Sequence, residues 1–311
     1  MNAARAPRPT DLVALVTFDG EVRENLAVTR ERLAEPSAAP TPLAAAIAGW
    51  LHLGRRTWVS MAGRQISGIA TARELSAKSA WEIDTLIDAD EVRPGGAVLG
   101  DLLHQIALAA EQAEVTHVVL RTGIDSPAHE AALRCGFAVV VTERLWAGRL
   151  ARGPVAGGAI REWTEADEFP AFQVYSRSLP VTARQSLAMT LDEWNAVRDR
   201  HWQERGDGTL VAERAGRIEA TARYARGTGQ FTLVAEPDAA STSTLVAALA
   251  IRLDEVAEHV ALISTCGATE EAALRAAGLV PQQEFVLLCR RVARPVREEG
   301  YARAGIPIIG G

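Results

Sequence analysis

Three cysteines, almost no lysine and no long hydrophobic run set the first limits on this chain. Cys135, Cys266 and Cys289 are scattered and odd in number, so neither a disulfide framework nor a paired metal-binding motif can be drawn from them. They read as buried, reduced thiols in apolar surroundings. The longest apolar runs, such as Ser243 to Ile251, fall far short of a bilayer span and are followed by charges. Residues 1–10 lack the apolar stretch of a signal peptide, so a cytoplasmic protein with no membrane partner is expected. Lys78 is a rare exception among basic residues that are otherwise arginine. The net charge is −6 and no basic patch interleaves with aromatics, which argues against nucleic acid as a partner. His52, His104, His129 and His201 show no ligand spacing, and no metal site is expected.

What is present is a globular composition, 48% hydrophobic and 23% charged, over 311 residues, which is enough for two ordinary domains. Residues 148–158, Gly-Arg-Leu-Ala-Arg-Gly-Pro-Val-Ala-Gly-Gly, have no periodicity and read as a linker. The stretches on either side repeat one order of elements. Trp58–Met61 and Ile66–Ala72 flank Ala62-Gly63-Arg64 as strand, turn and strand; Leu210–Arg214 and Ile218–Tyr224 flank Ala215-Gly216-Arg217 in the same way. A third strand follows, Ala80–Ile87 or Gln230–Ala235. Leu99, Leu102, Leu103, Ile106 and Ala110 then recur at helical spacing, as do Leu245, Ala248, Leu249 and Leu253. A buried strand begins at His117 or His259, whose matching places suggest a shared structural role. Each half ends with Glu-Ala-Ala-Leu-Arg, at Glu130 and Glu271, then Gly136-Phe137 or Gly278-Leu279 and a last strand, Ala138–Leu145 or Glu284–Cys289.

This order of strands, helix, strand, helix ending in Gly-Phe, and final strand resembles the GNAT superfamily of acyl-CoA-dependent acetyltransferases. The second half even opens in that manner, with Ile160–Asp167 as a first strand running into an Asp-started helix. The resemblance covers roughly residues 55–147 and 159–292. It implies an α/β (α+β) fold of two tandem GNAT-like domains, each a mixed, mostly antiparallel sheet flanked by helices. The units are expected at 1–147 and 159–295, with 296–311 as a tail able to dock on the body or on a second subunit, so a homodimer stays open. Before residue 55 the match is poor: Pro7 and Pro9 curtail a first strand, and only helices over Asp11–Leu33 and Leu43–Leu53 are read there.

The resemblance implies acetyl-CoA as cosubstrate, lying where the fourth and fifth strands of such a fold splay apart, with its pyrophosphate on a glycine-rich turn at the next helix N-terminus. Backbone N–H groups and the helix dipole there favour an anion. The family's motif runs (Gln/Arg)-x-x-Gly-x-(Gly/Ala). The first half has Arg93-Pro94-Gly95-Gly96-Ala97-Val98, in which Arg93 and Gly96 fit and Val98 replaces a small residue. Arg93, Gly95, Gly96, Ala97 and Val98 are therefore the expected phosphate site. Leu86, Ile87 and Asp88, at the end of the fourth strand, are expected along the pantetheine, with Asp125 as a further contact. The second half has Pro237–Thr244, without glycine and five residues shorter, so its site is expected to be degenerate, with Ser241–Thr244 capping the helix.

For the amine proton, Glu82 and Asp84 stand out on the strand Trp81–Leu86. Period-two alternation puts both on one face and Trp81, Ile83 and Thr85 on the other. Two adjacent carboxylates would raise one pKa, which suits a base near neutral pH, although a half-exposed strand alternates in the same way. The family's usual acid, a Tyr four residues before the Gly of Gly-Phe, is Ala132 in one half and Leu274 in the other. Trp194, Val197 and His201 share a helix face best explained by packing, and Tyr175 alone decides nothing. The expected function is acyl transfer to an unidentified small-molecule or peptide amine by one site in the first domain. A non-catalytic protein of this fold, binding acyl-CoA or another small ligand or serving as a scaffold, is the alternative. A peptidyl transferase using aminoacyl-tRNA is disfavoured by the acidic charge.

Overall fold

The computed structural model describes residues 4–19, 24–29, 33, 55–75, 80–90, 96–153, 159–187, 190–192, 194–195 and 207–292. The expected helix over Leu43–Leu53 and the tail at 296–311 lie outside the described residues, as do Arg93, Gly95, Val197 and His201. The first half contributes α1 (Leu12–Asp19), β1 (Arg55–Ala62), β2 (Gln65–Glu74), β3 (Ala80–Asp88), α2 (Ala97–Gln112), β4 (His117–Gly123), α3 (Pro127–Arg134) and β5 (Ala138–Gly148). The second contributes β6 (Ala159–Glu162), α4 (Glu168–Ser178), α5 (Val181–Leu187), β7 (Gly208–Arg214), β8 (Arg217–Ala225), β9 (Gln230–Ala235), α6 (Thr242–Arg252), β10 (His259–Ser264), α7 (Ala268–Ala276) and β11 (Val280–Arg291). The repeat read from the sequence is therefore a repeat of structure.

The described strands form one eleven-stranded sheet in the order β1-β2-β3-β4-β11-β5-β10-β9-β8-β7-β6. Only β3–β4 and β9–β10 pair in parallel. The repeat led to an expected last strand inside each half, but the two last strands sit side by side at the centre. β11 pairs with β4 from Phe285↔Gly123 to Arg291↔His117, and β5 pairs with β10 from His259↔Gly148 to Ser264↔Glu143. The cores follow the exchange. Val286 and Leu288 of β11 are buried with Trp81, Leu99 and Leu120 of the first half, whereas Trp146 of β5 is buried with Phe231, Leu245 and Ala261 of the second. Pairing β5 with β11 in antiparallel fashion leaves neither half with an open edge at the centre.

Helix α2 carries Val98, Leu99, Leu102, Leu103, Ile106 and Ala110 on its buried face and packs on β1, β2 and β3. It seats unusually close to β2, since a Cβ added to Gly68 would clash with Val98 Cγ1. On the other face of β2, Leu15 and Phe18 of α1 meet Val59, Ile66, Ile69 and Ile87. The helix expected over Asp11–Leu33 is shorter: α1 ends at Asp19 and residues 24–29 are neither helix nor strand. Hydrogen bonds to two strands outweigh the helix propensity of that segment. The matching histidines behave differently in detail. His259 Nδ1 accepts from Leu150 N–H and its Nε2 donates to Leu253 O, tying β10 to the linker, while His117 Nδ1 meets the Thr116 hydroxyl. Cys289 is buried, which pushes its thiol up to about 11. Cys135 is half-buried and bonds Gly100 O, but Cys266 is exposed in the turn after β10, contrary to the reading of three buried thiols.

Candidate active site between β3 and β4

Strands β3 and β4 pair from Ala80↔His117 to Ile83↔Leu120 and then part. The parting coincides with an irregularity between β2 and β3, where Thr71 faces Thr85 while Ala72 faces Ile83, so that Asp84 is an extra residue on β3. Such a bulge breaks the alternation. Glu82 and Asp84 do share a face, since their partners Arg73 and Thr71 are two apart on β2. Thr85 joins them by pairing with Thr71, instead of following Ile83 as alternation predicts, and Leu86 returns to the core beside Trp81 and Ile83.

Neither carboxylate is exposed. Asp84 is fully buried and accepts from Arg55 Nε at 2.8 Å and from the Thr71 hydroxyl. Glu82 holds Arg73 through Nε at 2.9 Å and Nη2 at 2.5 Å, with Arg121 Nη1 4.0 Å away. Arg121 in turn donates to Glu143 Oε2 at 2.6 Å, both side chains being buried. Burial works against the Arg121 charge, but Glu143 and Glu82 outweigh it and hold its pKa above the usual value. Charge thus alternates along Arg73, Glu82, Arg121 and Glu143, an ion ladder that sequence alternation alone does not reveal.

Beyond Ile83 and Leu120 the space between the strands holds residues 24–29. Leu86 turns both backbone groups into the splay: its N–H donates to Asn25 Oδ1 at 2.8 Å and its carbonyl accepts from Leu26 N–H at 2.9 Å. Asn25 Nδ2 donates to Asp84 O at 3.1 Å. Across the gap, Val28 N–H donates to Arg121 O at 2.8 Å and the Thr122 hydroxyl to Leu26 O at 2.7 Å. Ala27 and Thr29 are buried. Of the other strand-end residues singled out, Ile87 packs its side chain on α1, and Asp88 Oδ1 accepts from Asp90 N–H in the following turn.

The N-terminus of α2 carries no side-chain cap. Gly96 takes φ 69° there, a left-handed conformation that glycine adopts without strain. The first-turn N–H groups of Ala97, Val98 and Leu99 have no partner inside the helix by geometry. The Val98 side chain points away from this end into the core, against the bare backbone of Gly68, which explains a valine where the motif has a small residue. The sequence reading missed Arg134: its Nη2 lies 3.5 Å from where a Cβ on Gly96 would stand, which brings a cation to the helix end. Its signal was the repeated Glu-Ala-Ala-Leu-Arg, whose second copy places Arg275 over the Trp146 ring instead. Asp125 is exposed in the turn before α3, where Ser126 accepts from Ala128 N–H. Ala132 and Leu274, at the positions of the family's acid, are fully buried.

No family model and no curated protein sequence matches the chain. Solved structures do. The GCN5-related N-acetyltransferase from Sphaerobacter thermophilus superposes with a TM-score of 0.52 at 17% identity, over 94% of this chain and 96% of that one. This chain has the tandem GNAT fold. A tandem GNAT protein from the clavulanic acid biosynthesis pathway covers 92% of this chain and 94% of its own at 14% identity and a TM-score of 0.45. For an acetyltransferase of the GNAT family from Colwellia psychrerythraea the coverages are 93% and 99%, the identity 12% and the TM-score 0.44.

The second half differs at the same place. β9 and β10 pair only at Gln230↔Val260 and Phe231↔Ala261. Beyond them the buried carboxylate of Glu270 accepts from Ala235 N–H at 2.9 Å. Burial raises its pKa. Ser241 does not cap α6 as expected from its sequence position; its hydroxyl donates to Glu219 Oε2 at 2.9 Å, and the Thr242 hydroxyl bonds Ala239 O. Those hydroxyls are committed to the protein. On the second half's helix α4, Tyr175 lies against Trp194, ring centroids 6.0 Å apart, with Phe172 at 5.7 Å from the same ring. No described helix is long and apolar enough to cross a membrane.

Proposed function

We propose that the chain is an acyl-CoA-dependent N-acyltransferase acting in the cytoplasm, with acetyl-CoA as cosubstrate and one working cleft in the first unit, residues 1–147. The second unit, 159–295, supports the sheet. The observation that carries this reading is the parting of β3 and β4 after Ile83 and Leu120, next to a helix N-terminus that has no side-chain cap.

The residues present fit such a cosubstrate. Leu86 has one N–H and one C=O of the kind an amide-bearing chain would use, held in this structure by Asn25 and Leu26, and the first turn of α2 with Arg134 has donors and positive charge for a pyrophosphate. Acyl-CoA supplies the activated acyl carbonyl. The protein's contribution is chiefly to hold the amine in line with that carbonyl, an effect worth on the order of several kcal/mol. On the acceptor face, Glu82 is the carboxylate nearer to solvent, at 12% exposure against 0% for Asp84, and takes the role of proton acceptor. Asp84 is a positioning residue that fixes the bulge through Arg55 and Thr71. Binding without turnover is a second reading, favoured by the arginine pairing of both carboxylates.

Calorimetric titration with acetyl-CoA tests the reading, with Gly96→Asp and Gly96→Asn compared. Both side chains tolerate a left-handed backbone, but only Asp sets a negative charge at the helix end. Loss of binding in Gly96→Asp with retention in Gly96→Asn supports it. Absence of binding by the folded wild-type chain and by an Asn25→Ala variant overturns it. Free-thiol release in the presence of a panel of primary amines separates turnover from binding alone.

A further inference from the structure

We propose that residues 24–29 are an internal competitor for the cleft between β3 and β4, so that the protein as folded keeps its own cosubstrate site shut. This rests on the acyl-CoA reading above.

Where two buried strands part, the N–H and C=O groups facing the gap must find partners or carry a desolvation penalty. Here the partners come from the chain. The Asn25 side chain is an amide, and it uses both ends as a backbone amide would, accepting from Leu86 N–H and donating to Asp84 O. Its Oδ1 also accepts from Ala27 N–H at 3.1 Å, which locks the local turn. Leu26 then bridges the gap: its N–H donates to Leu86 O on β3, and its carbonyl accepts from Thr122 on β4. Val28 completes the crossing at Arg121 O. An amide, a short spacer and a second amide follow one another between two strand edges.

A pantetheine chain offers the same alternation of amides and short aliphatic spacers. It would draw on the same groups, above all Leu86 N–H and C=O. The two occupants cannot both hold Leu86, so binding of one requires withdrawal of the other. The apparent affinity for acyl-CoA is then lowered by the fraction of molecules with the cleft open.

The segment is also suited to leaving. It does not form a regular ladder with either strand; two of its five bonds across the gap come from the Asn25 side chain and one from the Thr122 hydroxyl. Ala27 and Thr29, its buried side chains, are small. A segment held in this way needs few groups to be replaced, and acyl-CoA brings replacements for the backbone ones.

The test combines amide hydrogen exchange with acetyl-CoA titration on the full chain. In the ligand-free protein the amides of Leu26, Val28 and Leu86 are expected to be protected. Saturating acetyl-CoA should expose Leu26 and Val28 while Leu86 stays protected. Asn25→Ala, which removes both side-chain bonds, should bind acetyl-CoA at least tenfold more tightly than wild type. Acetyl-CoA binding with Leu26 and Val28 still protected, or equal affinity in Asn25→Ala, overturns the competitor and leaves the cofactor reading standing. Unprotected Leu26 and Val28 in the free protein overturn it as well, whether or not the variant folds. No binding to either protein overturns both.

Discussion

Asp84 and Glu270 are both acids held out of water, and they are held by opposite means. Asp84 has Arg55 and Thr71 against it, whereas Glu270 has the Ala235 N–H and no ion pair of its own among the described residues. Asp167 gives a third case. Two bonds from Arg161 and the Thr164 N–H bring its pKa down to about 2. For Asp167 and Glu270 the shifts set how stability follows pH. For Asp167 the folded value lies below the unfolded one, so its contribution is present above about pH 4 and fades as pH falls toward 2. Arg161 is 38% exposed, and solvent limits the gain to about 1 kcal/mol. Glu270 runs the other way: its folded value is raised, so its contribution is complete below the ordinary glutamate range and is lost as pH rises through the folded value. Thermal midpoints from pH 3 to 8 should show Asp167→Asn losing stability at neutral pH and Glu270→Gln gaining it. The sequence showed that Glu82 and Asp84 share a face. It could not show that Thr85 joins them or that arginines meet both, because a one-residue bulge on β3 has no composition of its own.

At the level of elements, α2 shows how a departure from a motif is absorbed. Val98 takes the place of a small residue and is accommodated by Gly68 on the strand below, two positions that only the packing connects. Gly68→Ala should therefore cost about 1–3 kcal/mol by overpacking, and Val98→Ala should relieve most of it in the double variant. Urea unfolding of the two single variants and the double variant measures this. If Gly68→Ala proved neutral, the close seating of α2 would be wrong. The hairpins and α2 were legible from periodicity, since each half buries a regular face. The non-helical course of 24–29 was not. Nothing in Glu24-Asn25-Leu26-Ala27-Val28-Thr29 forbids helix, and what decides against it is a pair of strand edges far away in sequence.

Across the whole molecule, the crossed last strands make two repeats into one cooperative body. The first-half core includes Val286 and Leu288, and the second includes Trp146 and Leu150, so neither can be completed by its own half alone. A fragment covering residues 1–157 lacks β11 and is expected not to fold, and likewise 158–311 without β5. Mixed, the two should recover the native circular dichroism spectrum, and the intact chain should unfold in a single transition by all probes. Two separate transitions, or a well-folded isolated fragment, would count against the exchange. The repeat was visible in the sequence because each copy keeps its own pattern. The exchange was not, because β5 and β11 are similar enough in length and apolar content to serve in either place.

The exchange also bears on how the protein is born. Translation delivers β4 well before β11, with everything from Ile124 to Leu279 between them. At ordinary ribosomal speeds that interval is on the order of ten seconds. During it the nascent β4 has an uncovered edge beside a half-filled core, and no residue yet made can close it in the native way. The first half is therefore the one that must wait, and its maturation is timed by the synthesis of β11 and not by the completion of its own sequence.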